Sequence, residues 1–288
     1  MGTSITLSRL AGSDDGFRSD MPLERELDDD VLLDATDLRS CHPMFALRLR
    51  LFIDWHLNAG HKVIFKTPRD RDTSQQLADL GVADSLEDTV VSLPGPRAER
   101  TNSILPLRRF GTFPDVEDIA LETVDLLHRQ SEAVGCWGNA MFAAVSELCN
   151  NALQHGKNEL GAYVVAERTA NRGGSELRLA IADLGIGIPE HIRSQHPEWQ
   201  DDTAAIARAI ERGVSGTGDI YRGNGFSEVF DEALQTDLVR ARSAAIVDIR
   251  SGRGRVSVEL VGGVKKAEGH QGQIPRRGAW ITYTIATP

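Results

Sequence analysis

The sequence predicts a mixed α/β (α+β) chain of two units, and three observations carry that reading. Between Val31 and Gly81 short apolar runs alternate with stretches of helical period, the pattern of a small strand-helix-strand-helix unit. Beyond Asn102 two long helical patterns come first and the strands follow mostly as a block. That order favours antiparallel pairing in one sheet with helices on one face, an α/β sandwich. Between the two, Ser92-Leu93-Pro94-Gly95-Pro96-Arg97 interrupts any regular element and reads as a linker.

Taken in order, residues 1–20 are rich in Ser, Gly and Asp without periodicity, and a flexible leader is expected there. The first unit, 21–98, opens with a strand at Val31-Leu32-Leu33-Asp34. A helix follows from Met44 to Asn58, with Phe45, Leu49, Phe52 and Ile53 at core spacing, Pro43 at its start and Gly60 as its stop. A second strand is expected at Val63-Ile64-Phe65 and a short helix from Thr73 to Leu80, closed by Gly81. The second unit, 99–288, is expected to hold a strand over Ile104–Leu107 and helices over Pro114–Ala133 and Trp137–His155. Its further strands are placed at Tyr163–Ala166, Leu177–Ala182, Ala245–Ile249, Val256–Leu260 and Trp280–Ile285. No internal repeat is visible.

At 288 residues the chain is long enough for two units to bury cores without disulfides or structural metal. A net charge of -10 argues against broad attraction to nucleic acid or anionic membrane, local clusters such as Arg276-Arg277 aside. Cys41, Cys136 and Cys149 show neither disulfide nor zinc spacing. No apolar run is long enough to span a bilayer, and the start of the chain lacks the order of a secretory signal. The Met1-Gly2-Thr3-Ser4-Ile5-Thr6 match to a myristoylation pattern is too short to carry weight. A reducing cytoplasm is the compartment these features fit.

The most informative segment runs from Ala144 to Gly156, Ala-Val-Ser-Glu-Leu-Cys-Asn-Asn-Ala-Leu-Gln-His-Gly. At about 100° per residue, Glu147, Asn151 and His155 share one narrow stripe with Asn150 and Gln154 beside it. Met141, Phe142, Val145, Leu148, Cys149, Ala152 and Leu153 fill the opposite arc. Solvated helix faces favour Lys and Glu over Asn, Gln and His, which are poorer helix formers, so this polar face points to chemistry. Asn151 suits a Mg²⁺ ligand, because that ion takes few protein oxygens beside phosphates and water, and Glu147 suits activation of a nucleophile.

In Leu177–Pro189 the strand alternation places Leu177, Leu179 and Ile181 together and leaves Asp183 at the strand end. An ionised carboxylate there can accept a hydrogen bond from an exocyclic amine, and Gly185 and Gly187 permit close backbone approach to a flat ring. A third segment combines Arg212-Gly213-Val214-Ser215-Gly216-Thr217-Gly218 with Arg222-Gly223-Asn224-Gly225-Phe226, ahead of a helical pattern over Ser227–Leu234. Glycines before a helix start can aim backbone N–H groups at phosphate. Neither a Walker-type Gly-x-x-x-x-Gly-Lys-[Ser/Thr] nor a Gly-x-Gly-x-x-Gly after a strand occurs.

These segments, in this order, resemble the N, G1 and G2 boxes of the GHKL superfamily, which includes gyrase B, MutL and histidine kinases. Glu-x-x-x-Asn-Ala-x-x-His-Gly is most similar to the bacterial anti-sigma-factor serine kinases. The resemblance covers Ile104 to Ile285 and implies an ATP- and Mg²⁺-binding domain of Bergerat type. It implies Asn151 as the Mg²⁺ ligand, Glu147 as catalytic base, Asp183 as adenine anchor and Gly223 and Gly225 as phosphate contacts. Thr217 and His155 are expected to line the same site, with Gly185 and Gly187 beside the base. The G2 turn reads Gly-Asn-Gly-Phe where the family has Gly-x-Gly-Leu, and the lid between Pro189 and Arg222 is long.

Residues 29–86 resemble a STAS domain, the fold of anti-sigma-factor antagonists, with Ser40-Cys41-His42-Pro43 where that family carries an Asp-Ser-Ser-Gly-like turn. Three function classes follow: a serine/threonine kinase acting on a regulatory protein partner, an ATPase switch whose lid reports ATP or ADP, and a nucleotide-binding scaffold. A homodimer is compatible with each. Histidine autokinase activity at His128 is not expected, because Leu127-His128-Arg129-Gln130 lacks the acidic residue that commonly follows such a histidine.

Overall fold

The computed structural model describes residues 3–7, 29–82, 90–91, 103–130, 137–156, 160–171, 174–211, 225–234 and 243–287. The fold is α+β, with one parallel and one antiparallel sheet. Two compact units divide the chain, Met1–Arg108 and Arg109–Pro288.

In the first unit β1 (Thr3–Thr6), β2 (Val31–Asp34), β3 (Val63–Lys66) and β4 (Val90–Val91) form a sheet in that order, every pair parallel. Residues 3–6 were expected in an irregular leader. Backbone pairing with β2 makes them a strand instead, in the register Thr3 to Val31, although only Ile5 buries its side chain. Helix α1 (Pro43–Asn58) starts on Pro43, whose fixed φ suits a first turn, and Met44, Phe45, Leu47, Leu49, Phe52 and Ile53 bury it on most sides. Helix α2 (Arg71–Asp79) begins two residues before the expected start, because the Asp70 carboxylate accepts the Thr73 N–H at 2.9 Å and caps it.

The five-stranded sheet has the order β5-β6-β7-β9-β8: β5 (Ser103–Phe110) runs through the division at Arg108, and β6 (Ala162–Asn171), β7 (Gly174–Asp183), β8 (Ala244–Val261) and β9 (Val264–Thr287) belong to the second unit. Pairs β6/β7, β7/β9 and β8/β9 are antiparallel. Alternation buries Leu177, Leu179 and Ile181 of β7, Val247 and Ile249 of β8, and Ile281, Tyr283 and Ile285 of β9. Helices α3 (Phe113–Gln130) and α4 (Gly138–Gly156) pack on each other, and α4 packs on β6, β7 and β9. The remaining described helices are α5 (Ile188–Arg193), α6 (Asp202–Ala209) and α7 (Gly225–Leu234).

The two strands expected at 245–249 and 256–260 are one strand, β8, bent by irregular pairing at Ser251, Gly252 and Gly254. It returns through Gly262 and Gly263, both at positive φ (58° and 78°), as a two-residue hairpin turn of this hand requires. β9 therefore starts at Val264, well before the expected Trp280. Its first part, Lys-Lys-Ala-Glu-Gly-His-Gln, is polar on both faces and carries no period-2 signal; it is a strand because β8 pairs with it. Helix α6 lies on this distal hairpin. A side chain at Gly254 would come within 2.7 Å of Asp202 and Ile206, and one at Gly269 would overlap the Thr203 methyl. Among the described residues no helix is long and apolar enough to cross a membrane.

Candidate functional site

Helix α4 carries the polar stripe read from the sequence. Glu147, Asn151 and His155 are partly buried, while Met141, Val145, Leu148 and Cys149 of the apolar arc are buried, as is the small Ala144 on the stripe itself. Phe142, expected in the core arc, is exposed at 41%, because it sits at the edge of that arc where no described element covers it. The helix runs one residue past His155 and ends at Gly156, against Asp183: a side chain at Gly156 would lie 3.2 Å from the Asp183 carboxyl.

Asp183 is the last residue of β7 and is 3% exposed. Its Oδ1 accepts the Gly185 N–H at 2.7 Å, and the Ala279 N–H donates to the same carboxyl. Burial pushes the acid up to about 6, and those two backbone donors oppose the shift without cancelling it. The turn that follows is fastened at both ends. Arg277 Nε donates to the Leu184 carbonyl at 2.8 Å, and Ser251 Oγ accepts the Ile188 N–H at 2.9 Å while donating to the Gly278 carbonyl at 2.5 Å.

The glycines around Asp183 serve this packing. A Cβ on Gly185 would overlap the Gly156 carbonyl, one on Gly278 would overlap the Asp183 carbonyl, and one on Gly187, at φ 80°, would meet Ser251 Oγ at 2.6 Å. Gly185 thus fits against the Gly156 backbone, and Gly187 against the Ser251 hydroxyl and the Gly278 carbonyl, which locks the end of α4, the end of β7 and the β8/β9 bend together. Between these two glycines Ile186 is 54% exposed. The His155 ring packs at a tilt of 36° against His191 of α5, ring centroids 4.0 Å apart, so the end of the stripe also meets the first helix after the turn.

Glu147 is a partly buried acid pushed up to about 7. Burial is the largest cause, followed by the charge of Glu228 and a hydrogen bond with the Glu228 side chain. Glu228 sits on the first turn of α7, a helix that packs on α4. Gly225 opens α7, as the sequence reading places it near a helix start; Thr217 and Gly223 lie outside the described residues. The structure thus brings Asp183, Gly185 and Gly187 into one turn against the end of the helix that carries Glu147, Asn151 and His155. His128 is exposed on α3.

Glu228, His191, Ser251, Arg277 and Gly278 were not identified from sequence. Ser251-Gly252-Arg253-Gly254, left between two expected strands, is the kind of glycine-containing segment that marks a bulge within one strand. The pairing of Glu228 with Glu147 joins two helices distant in sequence and leaves no local trace.

No protein-family model matches the chain. The chain is similar to blue-light-activated histidine kinase 2 of Erythrobacter litoralis, at 34% identity over 74 residues. The match covers 26% of this chain and spans a fifth, 20%, of that protein's length, a distant similarity to part of a histidine kinase.

Proposed function

We propose that the second unit is a GHKL-type domain that binds Mg-ATP and supports phosphoryl transfer to a hydroxyl of a regulatory protein partner, or to water. The observation that carries this reading is Asp183. A carboxylate offers about four acceptor positions, and two backbone N–H groups use two of them, which leaves capacity for the exocyclic amine of adenine in a site that excludes water. With its acid range near 6, the group is mostly ionised at neutral pH, the form that accepts such a bond. The similarity to part of a histidine kinase supports the same nucleotide class.

On this reading Asn151 would hold Mg²⁺ through its amide oxygen, and the bound ion would neutralise phosphate charge. Glu147, one turn earlier, aligns the attacking O–H and takes its proton; an acid range near 7 suits a base working at neutral pH. Gly223 and Gly225 would offer backbone N–H groups to the phosphates, with Thr217 beside them. The first unit, with its parallel sheet and STAS-like sequence, would engage the partner.

The test is titration calorimetry of the full chain with Mg-ATP, paired with assays of phosphate release and of phosphorylation of added partners. Binding that is lost in Asn151→Ala, together with turnover that is lost but binding kept in Glu147→Ala, is the expected pattern. Binding without turnover under any condition would leave only a scaffold, and no binding in the parent would end the proposal.

A further inference from the structure

Helices α3 and α4 leave two large apolar side chains in water, Leu121 at 53% and Phe142 at 41% exposure, and neither belongs to the Glu147–Asn151–His155 stripe. One exposed leucine on a surface needs no explanation. These two, however, border the same seam. A side chain at Gly138 would lie 3.6 Å from His128 and 3.7 Å from Val124, so the start of α4 rests against the end of α3 and the packed pair is antiparallel. Leu121 stands one turn before Val124 and Phe142 one turn after Gly138, steps that run the same way along an antiparallel pair.

The charge around this seam has one sign. Over Phe113–Gln130, α3 carries Asp115, Glu117, Asp118, Glu122 and Asp125 against a single Arg129, and α4 holds no lysine or arginine. Asp115 is used locally, accepting the Gly111 N–H at 3.0 Å and the Thr112 N–H at 2.9 Å. Glu117, Asp118 and Asp125 are exposed within about a turn of Leu121, and among the described residues no cation pairs with them. Like charges three or four residues apart, such as Asp118 and Glu122, repel along a helix, a cost that a cationic neighbour would relieve.

We propose that the α3/α4 seam is a docking surface for a cationic amphipathic helix of a partner protein, with Leu121 and Phe142 meeting its apolar side and Glu117, Asp118 and Asp125 its lysines or arginines. An amphipathic helix lays its apolar face between such exposed anchors, and the acidic rim selects the sign of the partner. The same charge disfavours a second copy of this chain, since a two-fold contact sets the acids of one α3 against those of the other. The surface goes beyond the nucleotide reading and needs no bound nucleotide.

The experiment measures binding of labelled synthetic peptides of about 18 residues, the length of α3, to the full chain by fluorescence anisotropy. One peptide is built of leucine and lysine, with the leucines along one side of a helix. A second has alanine for each leucine, and a third has glutamate for each lysine. The parent should bind the leucine-lysine peptide roughly tenfold or more tightly than either control, with affinity falling as salt is added. Leu121→Asn with Phe142→Asn should lose roughly tenfold or more, because a few buried anchors carry most of such an interface. Glu117→Lys, Asp118→Lys and Asp125→Lys together should lose the lysine peptide and gain the glutamate one, a rescue that misfolding cannot produce.

Equal binding of the alanine-lysine peptide would reduce the effect to diffuse charge attraction and overturn the proposal. Parent-like binding of the leucine-lysine peptide by either variant would do the same. Sedimentation of the free chain completes the test. A dimer that dissociates on Leu121→Asn with Phe142→Asn would assign the seam to a second copy and overturn the proposal, whereas sedimentation unchanged by those substitutions supports it. Failure of the parent to bind Mg-ATP would end the nucleotide reading alone, since the peptides are measured without nucleotide.

Discussion

Two aspartates end two strands, and their surroundings drive them in opposite directions. Asp34 ends β2 in the first unit, where the Thr36 hydroxyl at 2.7 Å and the Thr36 N–H at 3.1 Å donate to it and Lys66 lies 3.3 Å away. Water reaches it, and these donors hold its acid range below the usual carboxylate value, the Thr36 hydroxyl foremost. Asp183 ends β7 with comparable backbone donors but is sealed by Gly156, Gly185 and Gly278, and burial wins. Asp34 lowers its own energy through local turn bonds, whereas Asp183 is held at a cost in a closed junction, a cost that a bound nucleotide would offset on the proposed reading.

The glycines sharpen the contrast. Gly60, after α1, has φ 84° and nothing within 4 Å of where a Cβ would stand, so it serves its turn alone. Gly185 is walled in by the Gly156 backbone. Gly185→Ala should therefore be the most damaging of the changes considered, destabilising by about 3 kcal/mol as overpacking that forces backbone to move. Gly60→Ala should cost only about 1 kcal/mol from the left-handed backbone. Chemical denaturation of the two variants checks this, and equal losses would erase the distinction between packing and turn glycines.

Next in size is Asp183→Asn, which should weaken Mg-ATP binding by roughly ten- to a hundredfold, the loss of one charged hydrogen bond worth about 1.5–3 kcal/mol. Unchanged affinity in calorimetry would remove Asp183 from the nucleotide site.

The same substitution without nucleotide tests the burial. Folding raises the Asp183 acid from 3.8 to about 6, so the folded chain takes up a proton that the unfolded chain releases. Stability from this group rises as pH falls from about 6 toward 4 and is lowest above 6, by up to about 3 kcal/mol. Asp183→Asn should be more stable than the parent at pH 7.5, and the gap should close by pH 4.5 in thermal melts.

Asp34→Asn should give the smallest change and the opposite sign. Its lowered acid range adds stability above the unfolded value of 3.8, which is lost as pH falls through the folded range. The parent should exceed Asp34→Asn by a few tenths to about 1 kcal/mol near neutrality, the range of solvent-exposed interactions, and the difference should disappear in acid.

What the sequence disclosed follows the reach of its signals. Leu177, Leu179 and Ile181 alternate cleanly, so β7 and the strand-end position of Asp183 were readable, as was the Glu147–Asn151–His155 stripe on α4. The first part of β9 was not, because its residues are polar and exposed, without period-2 alternation, and owe their conformation to the ladder with β8. β1 was missed because four residues with one buried side chain carry too little pattern. The packing of Gly185 against the Gly156 backbone was not readable, because it is a contact between segments that no local spacing encodes.

The strand order of the second sheet also bears on how quickly it can form. β9 lies between β7 and β8, so β7 gains its second neighbour only when a segment about a hundred residues later in the chain is in place. The β8/β9 hairpin, closed by two glycines, can form from local contacts, whereas docking it onto β7 must first meet the entropy of a long loop. Ordering of the Asp183 turn, whose ties come from Ser251, Arg277 and Gly278, belongs to that late step, and the folding rate of this unit should follow the docking rather than the hairpin.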